Sequence, residues 1–275
     1  MGVGETSQMT IWRELFDRNR VVPPHSQTVR QAQGPSQGFQ LCLKHLDGAP
    51  MLPEVAESSH KVYFQLRVSL FETNHQHFFG RTWKSLSHEM TTSHGPTTRV
   101  LFNEVVYFHT SLRISSVVAV VELVSLSEKT GGAQHATGIC FGILQLFPGS
   151  ADPHASHRDG RLPLHLGTPR VLLSPAMRGD AMPNGHLTVM DGTQLLFTLQ
   201  PHPALLPVVH LIPQNVLVSG HESIPGVALA PGETGTPTRR AAHCTRPTSF
   251  PFALLSRAVI GCVANITITS ALPVA

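Results

Sequence analysis

Charged side chains are scarce in this chain. They make up 13% of its 275 residues, 20 Lys and Arg against 17 Asp and Glu, for a formal net charge of +3. So little charge excludes an architecture of long solvent-exposed helices. It also excludes the basic electrostatic footprint that nucleic acid requires. Cysteine is equally sparse: Cys42, Cys140, Cys244 and Cys262 lie far apart and none forms a CxxC pair. That spacing encodes neither a zinc ribbon nor a small disulfide scaffold and predicts reduced, partly buried thiols. The start MGVGETSQMT lacks the basic and apolar regions of a secretion signal, so the expectation is a cytoplasmic protein whose Asn265 sequon stays unglycosylated. Gly2 and Thr6 fit the myristoylation pattern, but the basic cluster that would make a single acyl chain an effective anchor is missing.

The motifs of catalysis are largely missing too. Gly34-Pro35-Ser36-Gln37-Gly38 spells GxSxG, but no other catalytic signature accompanies it: there is no GxxxxGK[ST] or GxGxxG phosphate loop and no HExxH pair. Each places a reactive group or a row of backbone N–H donors in a geometry that composition alone does not replace. The sequence therefore predicts no enzyme, no catalytic residue, no cofactor and no metal. Calcium would need six to eight oxygen ligands, yet Asp17, Asp47, Asp152, Asp159, Asp180 and Asp191 are the only aspartates and none forms a DxD loop.

Apolar residues (41%), 22 glycines and 22 prolines are present in abundance, enough for a real core cut by many turns. Residues 61–71, KVYFQLRVSLF, alternate: Val62, Phe64, Leu66, Val68 and Leu70 face one way, and Gln65, Arg67 and Ser69 the other. Residues 99–112 are rich in β-branched and aromatic side chains, 117–126 form an apolar run suited to a strand buried on both faces, and 138–147 read as another strand. Gly131-Gly132 marks a turn between the last two. Asp191-Gly192, between HLTVM and TQLLFTL, predicts a two-residue hairpin turn. Pro201, Pro203, Pro207 and Pro213 confine the next segment to edge or irregular structure. Ile11, Trp12, Leu15 and Phe16 have the spacing of a short amphipathic helix ended by Pro23-Pro24. The uncharged stretch 258–275 is too diluted by Asn, Thr, Ser and Pro for a membrane span.

The fold expected is mostly β: a C2-like antiparallel β-sandwich of seven or eight strands, with a short N-terminal amphipathic helix and an irregular C-terminal tail. The boundaries read as 1–20 for the helix segment, 21–226 for the sandwich with its Pro-rich final part, and 227–275 for linker and tail.

The stretch NHQHFFGRTWKS, residues 74–85, is where a site would be sought. His75 and His77 share a face of an extended strand as two metal ligands might, but Arg81 continues that face and a fixed guanidinium opposes a bound cation. A regular strand would put Phe79, Arg81 and Trp83 on one face, the guanidinium stacked on the indole, with Phe78 and Gly80 opposite. Gly80 marks a bulge or a close backbone approach. Arg81, Trp83 and Lys84 are the candidate interaction residues.

Several ordered stretches resemble the amino-terminal region of the nephrocystin four family: VVPPHSQTVRQ from Val21, LCLKHLDG from Leu41, HFFGRTWK from His77, LFNEVVYFHTSL from Leu101, VAVVELV from Val118 and FGILQLF from Phe141. HLGTPRVLL from His165, QPHPALLPVVHLIPQNVLVSG from Gln200 and IPG from Ile224 continue the series. The resemblance runs from about Trp12 to about Gly235, and residues 236–275 match nothing in the family, as in a truncated isoform or an incomplete gene model. It implies a non-enzymatic scaffold of the ciliary transition zone and basal body, found also in cytoplasm, cytoskeleton, centrosome and cell–cell junctions. The implied partners are nephrocystin one and the like-type relative of the retinitis pigmentosa GTPase regulator interacting protein. Implied roles extend to cilium assembly, ciliary gating, junction organisation and photoreceptor maintenance. The alternative reading is a calcium-independent, C2-like module that binds membrane surfaces peripherally.

Overall fold

The computed structural model describes residues 21–32, 34–49, 63–89, 91–92, 98–128, 134–148, 157–178 and 186–220. The amphipathic segment 10–20, Gly2, the Gly131-Gly132 turn, Cys244 and Cys262, the sequon, the stretch 258–275 and the linker and tail from 227 lie outside the described residues. Among the described residues no helix is long and apolar enough to cross a membrane.

The mostly β, antiparallel sandwich expected from the sequence is the architecture observed. Strands β1 (Gln37–Asp47), β2 (Tyr63–Glu72), β3 (His77–Lys84), β4 (His88–Glu89), β5 (Thr91–Thr92), β6 (Thr98–Thr110), β7 (Val117–Glu128), β8 (Gln134–Gln145), β9 (Arg158–Leu166), β10 (Val189–Pro201) and β11 (Val218–Ser219) form one antiparallel ladder in the order β11-β6-β1-β10-β9-β8-β7-β2-β3, with β4 paired to β2 and β5 to β6 off this path. The ladder is narrow at one point: β8 and β9 pair only at Cys140–Leu166 and Phe141–His165. There it folds over into two four-stranded leaves, β6-β1-β10-β9 and β8-β7-β2-β3. Their inner faces meet in one core, with Phe39, Leu41, Leu43, Phe102, Phe108, Leu162 and Leu195 from the first leaf and Phe64, Leu66, Val68, Ala119, Val121 and Leu144 from the second. Alternation along each strand puts these side chains inward.

Both leaves also carry apolar groups on their outer faces, and each is covered by a short 3-10 segment. Across the second leaf, Pro169–Leu173 sets Leu172 against Phe71, Phe78, Val118, Val120, Phe141 and Ile143. This cover buries Val118 and Val120 on the outer face of β7, which is buried from Val117 to Leu126. Across the first leaf, Pro203–Leu211 sets Leu205 against Tyr107 and Ile212. Burying that one leucine contributes roughly 1.5–3 kcal/mol. Gly38 makes the approach possible, since a Cβ there would stand 2.7 Å from Leu205 Cβ.

The hairpin expected at Asp191-Gly192 is not formed. Val189 to Pro201 is one strand, antiparallel to β9 on one side and β1 on the other. Gly192 takes φ +75°, and the β9 register shifts between Val189 and Gln194. The positive φ that would serve a hairpin turn here serves a bulge. The neighbouring strand end decides between them: Thr193 Oγ1 donates to the carbonyl of Gly48 at 2.7 Å.

Candidate interaction surface

The turn between β2 and β3 is organised by a buried carboxylate. Glu72, 1% exposed, accepts from the backbone N–H groups of Asn74 (3.0 Å) and His75 (2.8 Å) and lies 2.6 Å from His75 Nδ1. Gln76, at φ 50°, donates from Nε2 to the carbonyls of Leu172 (2.8 Å) and Ser174 (2.5 Å), which ties the turn to the 3-10 cover. Helix α1 (Ser26–Arg30), which the sequence reading did not anticipate, packs beside this turn. His25, its N-cap, stacks on His75 with ring centroids 4.0 Å apart and meets His77 edge-on at 6.2 Å. His75 Nε2 is 2.8 Å from Gln27 Oε1, and His77 Nε2 donates to the carbonyl of Pro23 at 2.9 Å. Burial holds His25 below the ordinary imidazole range, helped by the neighbouring His75 and His77 and opposed by Glu72. Among the described residues no group of three or more His, Cys, Asp or Glu is arranged to hold a metal ion.

Gly80 meets both expectations placed on it. It adopts φ +74°, a Cβ would fall on the carbonyl oxygen of Asn215, and the β2–β3 register slips between Val68 and Leu70. Phe79 and Trp83 therefore both face the main core while Phe78 joins the outer cluster. Trp83 is only 4% exposed, so this candidate contact residue is a core residue and offers no surface. Arg81 is half-buried and its backbone bridges to Val216. Lys84 is exposed and pairs in register with Arg67, which in turn lies opposite Glu122 of β7. The row Lys84, Arg67 and Glu122 is a continuous strip that residue spacing does not reveal, because its members come from three strands. Leu86, 47% exposed, follows it along the chain.

Two buried carboxylates stand out. Glu104, fully buried, accepts from His88 Nε2 at 2.9 Å and from the backbone N–H of Leu86 at 3.3 Å. Burial pushes Glu122 up to about 7, opposed by the Arg67 guanidinium. Burial also pushes the Cys140 thiol up to about 12, with Glu122 adding to the effect. A thiol held that firmly protonated is no nucleophile.

Nephrocystin-4 of Xenopus laevis is 41% identical over 219 residues, which is 80% of this chain and 15% of that protein. Human nephrocystin-4 is 43% identical over 233 residues, 84% of this chain and 16% of that protein. Over this span the chain is homologous to nephrocystin-4. The match is consistent with an amino-terminal nephrocystin-4 region, and the chain spans 15–16% of the length of these curated relatives. No protein-family model matches. A solved structure described as "CC2D1B coordinates ESRCT-III activity during the mitotic reformation of the nuclear envelope" is 15% identical, with 66% of this chain and 62% of that one covered at a TM-score of 0.36. At that score the likeness carries no argument. The chain is thus characterised by its own sandwich, its two covers and the strip of charged residues across β3, β2 and β7.

Proposed function

We propose that this nephrocystin-4 region is a non-enzymatic interaction module of a ciliary scaffold, working at the transition zone and basal body. The observation that carries the reading is the 41–43% identity to nephrocystin-4 over 80–84% of the chain. The proposed partners are nephrocystin one and the like-type relative of the retinitis pigmentosa GTPase regulator interacting protein. Cilium assembly, ciliary gating, junction organisation and photoreceptor maintenance are the processes this binding would serve. The proposed places are the cytoplasm, cytoskeleton, cilium base, centrosome and cell–cell junctions.

The contact surface proposed is the edge of the second leaf, with Lys84 and Arg67 presenting charge and Arg81 beside them. Charge at an interface rim sets approach and orientation more than net affinity. The test is capture of the two partners from ciliated-cell extract with the full chain as bait, followed by direct binding of each purified partner. Binding weakened by Lys84→Glu and by added salt supports the reading. Failure of both purified partners to bind the full chain ends it.

A further inference from the structure

The segment 22–30 is held against the sandwich by Val22 packed on the Phe71 and Phe78 cluster, by the buried Thr28 and by a group of imidazoles. Val22 and Gly80 exchange two backbone hydrogen bonds of 2.7 Å at the edge of β3. Beyond that bridge come His25 on His75, His25 against His77, His75 to Gln27, and His77 to the carbonyl of Pro23. Three rings therefore share this contact with one carboxylate, Glu72. His75 is held at both ring nitrogens, Nδ1 by Glu72 Oε2 with Thr28 Oγ1 at 3.5 Å, and Nε2 by Gln27 Oε1. The one carboxylate at this contact, Glu72, is engaged by the His75 ring and by two backbone N–H groups. His25 lies flat on His75 at 4.0 Å, and its Nδ1 is buried without a hydrogen-bond partner. A proton placed there would have no acceptor and would face the stacked His75 ring, and a charge left without a partner in a half-buried position is destabilising.

We propose that His25, His75, His77 and Glu72 form an acid-release clasp, in which protonation of His25 detaches residues 22–30 from β3 and uncovers the backbone edge at Gly80 while the sandwich stays folded. The sign follows from the direction of the His25 shift. Its docked value lies below the free value of 6.5, so the docking free energy is fully present above 6.5 and is lost as pH falls below it. The groups facing His25 are His75 and Glu72 on the turn and strand β2, and His77 on β3; on its own segment the nearest cation is Arg30, at the far end of α1. Detachment leaves the N–H and C=O of Gly80 without the Val22 groups they pair with, and such an edge is a template for an extended peptide.

Hydrogen exchange of the full chain, read as protection factors at pH about 7.5 and about 5.5, tests the clasp. The Val22 and Gly80 amides should lose about tenfold or more in protection at the lower pH, while Val68 and Val121 keep theirs. With His25→Gln the difference between the two conditions should vanish at Val22 and Gly80. In the unsubstituted chain the midpoint of the His25 ring titration by NMR should coincide with the loss of Gly80 protection. Unchanged protection at Val22 and Gly80, equal losses at Val68 and Val121, or a ring midpoint unrelated to the Gly80 response would each overturn the proposal.

Discussion

Val22 and Gly80 pair backbone to backbone through two hydrogen bonds, across a sequence gap that the fold alone closes. Next to them Arg81 bridges in parallel to Val216. The edge strand β3 is thus covered by two segments from opposite ends of the described chain, and an edge covered in this way is protected from pairing with other chains.

Gly80 is the position on which this arrangement depends. Gly80→Ala puts a side chain in the left-handed region and against the Asn215 carbonyl, and it should cost about 2–4 kcal/mol. Urea unfolding monitored by circular dichroism measures it. A loss under about 0.5 kcal/mol would mean that the bulge relaxes without consequence.

Glu122 should give the stability a pH dependence opposite in sign to that of the His25 clasp. Its folded value of about 7 lies above the ordinary 4.5. The folded state therefore holds the proton more tightly than the unfolded state. Stability from this group is full below 4.5 and is lost progressively as pH rises from there to about 7. Glu122→Gln should flatten that part of the profile and leave the variant the more stable of the two above about pH 7, by an amount on the order of a few kcal/mol. Chemical denaturation at a series of pH values would show it, and parallel profiles for the two proteins would contradict it.

His88 matches the fully buried Glu104 at 2.9 Å and packs edge-on against Phe102. Removing it takes the imidazole from a buried carboxylate, which keeps the longer bond from the Leu86 N–H. His88→Ala should cost about 2–4 kcal/mol in a thermal or urea transition near neutral pH, while the double variant His88→Ala with Glu104→Gln should recover part of that loss. No recovery would show that the effect comes from the ring's packing rather than from the carboxylate.

Trp83 and Lys84 are neighbours in sequence with opposite fates. Trp83→Ala should cost about 3–5 kcal/mol, because it empties part of the main core. Lys84→Glu should stay within about 0.5 kcal/mol of the unsubstituted chain, since the side chain is exposed and the new carboxylate faces Arg67 in register. Paired unfolding and binding measurements separate the roles: only the Lys84 change should lower partner capture with stability intact. A stability loss at Lys84 as large as that at Trp83 would remove it from the contact surface.

Strands whose burial follows simple alternation were legible from the residues alone. Phe64, Leu66, Val68 and Leu70 reach the core where the alternation of β2 put them, because a strand's side chains have a period of two whatever lies next to it. The largely apolar run of β7, broken by Glu122 and Ser125, likewise announced burial on both faces. Asp191-Gly192 misled for a definite reason. Positive φ at a glycine fits a tight turn and a bulge equally, and the choice was made by β9 and the end of β1 on either side of the strand. The candidate surface was only partly readable. Lys84 faces outward and Trp83 does not, and Arg67 joined the strip because β2 lies beside β3 in this register.

By itself the sequence determined the class of fold, the inner face of β2, the two-faced burial of β7 and the need for glycine at position 80. These follow from local periodicity and from steric limits on the backbone, which neighbouring residues are enough to set. The tertiary structure decided which outer face each proline-rich segment covers, and it made Trp83 a core residue. It also gathered His25, His75 and His77 around Glu72. Such contacts join residues far apart in the chain, and their existence depends on the register of strand pairing and on the bulges within it, which no local pattern specifies.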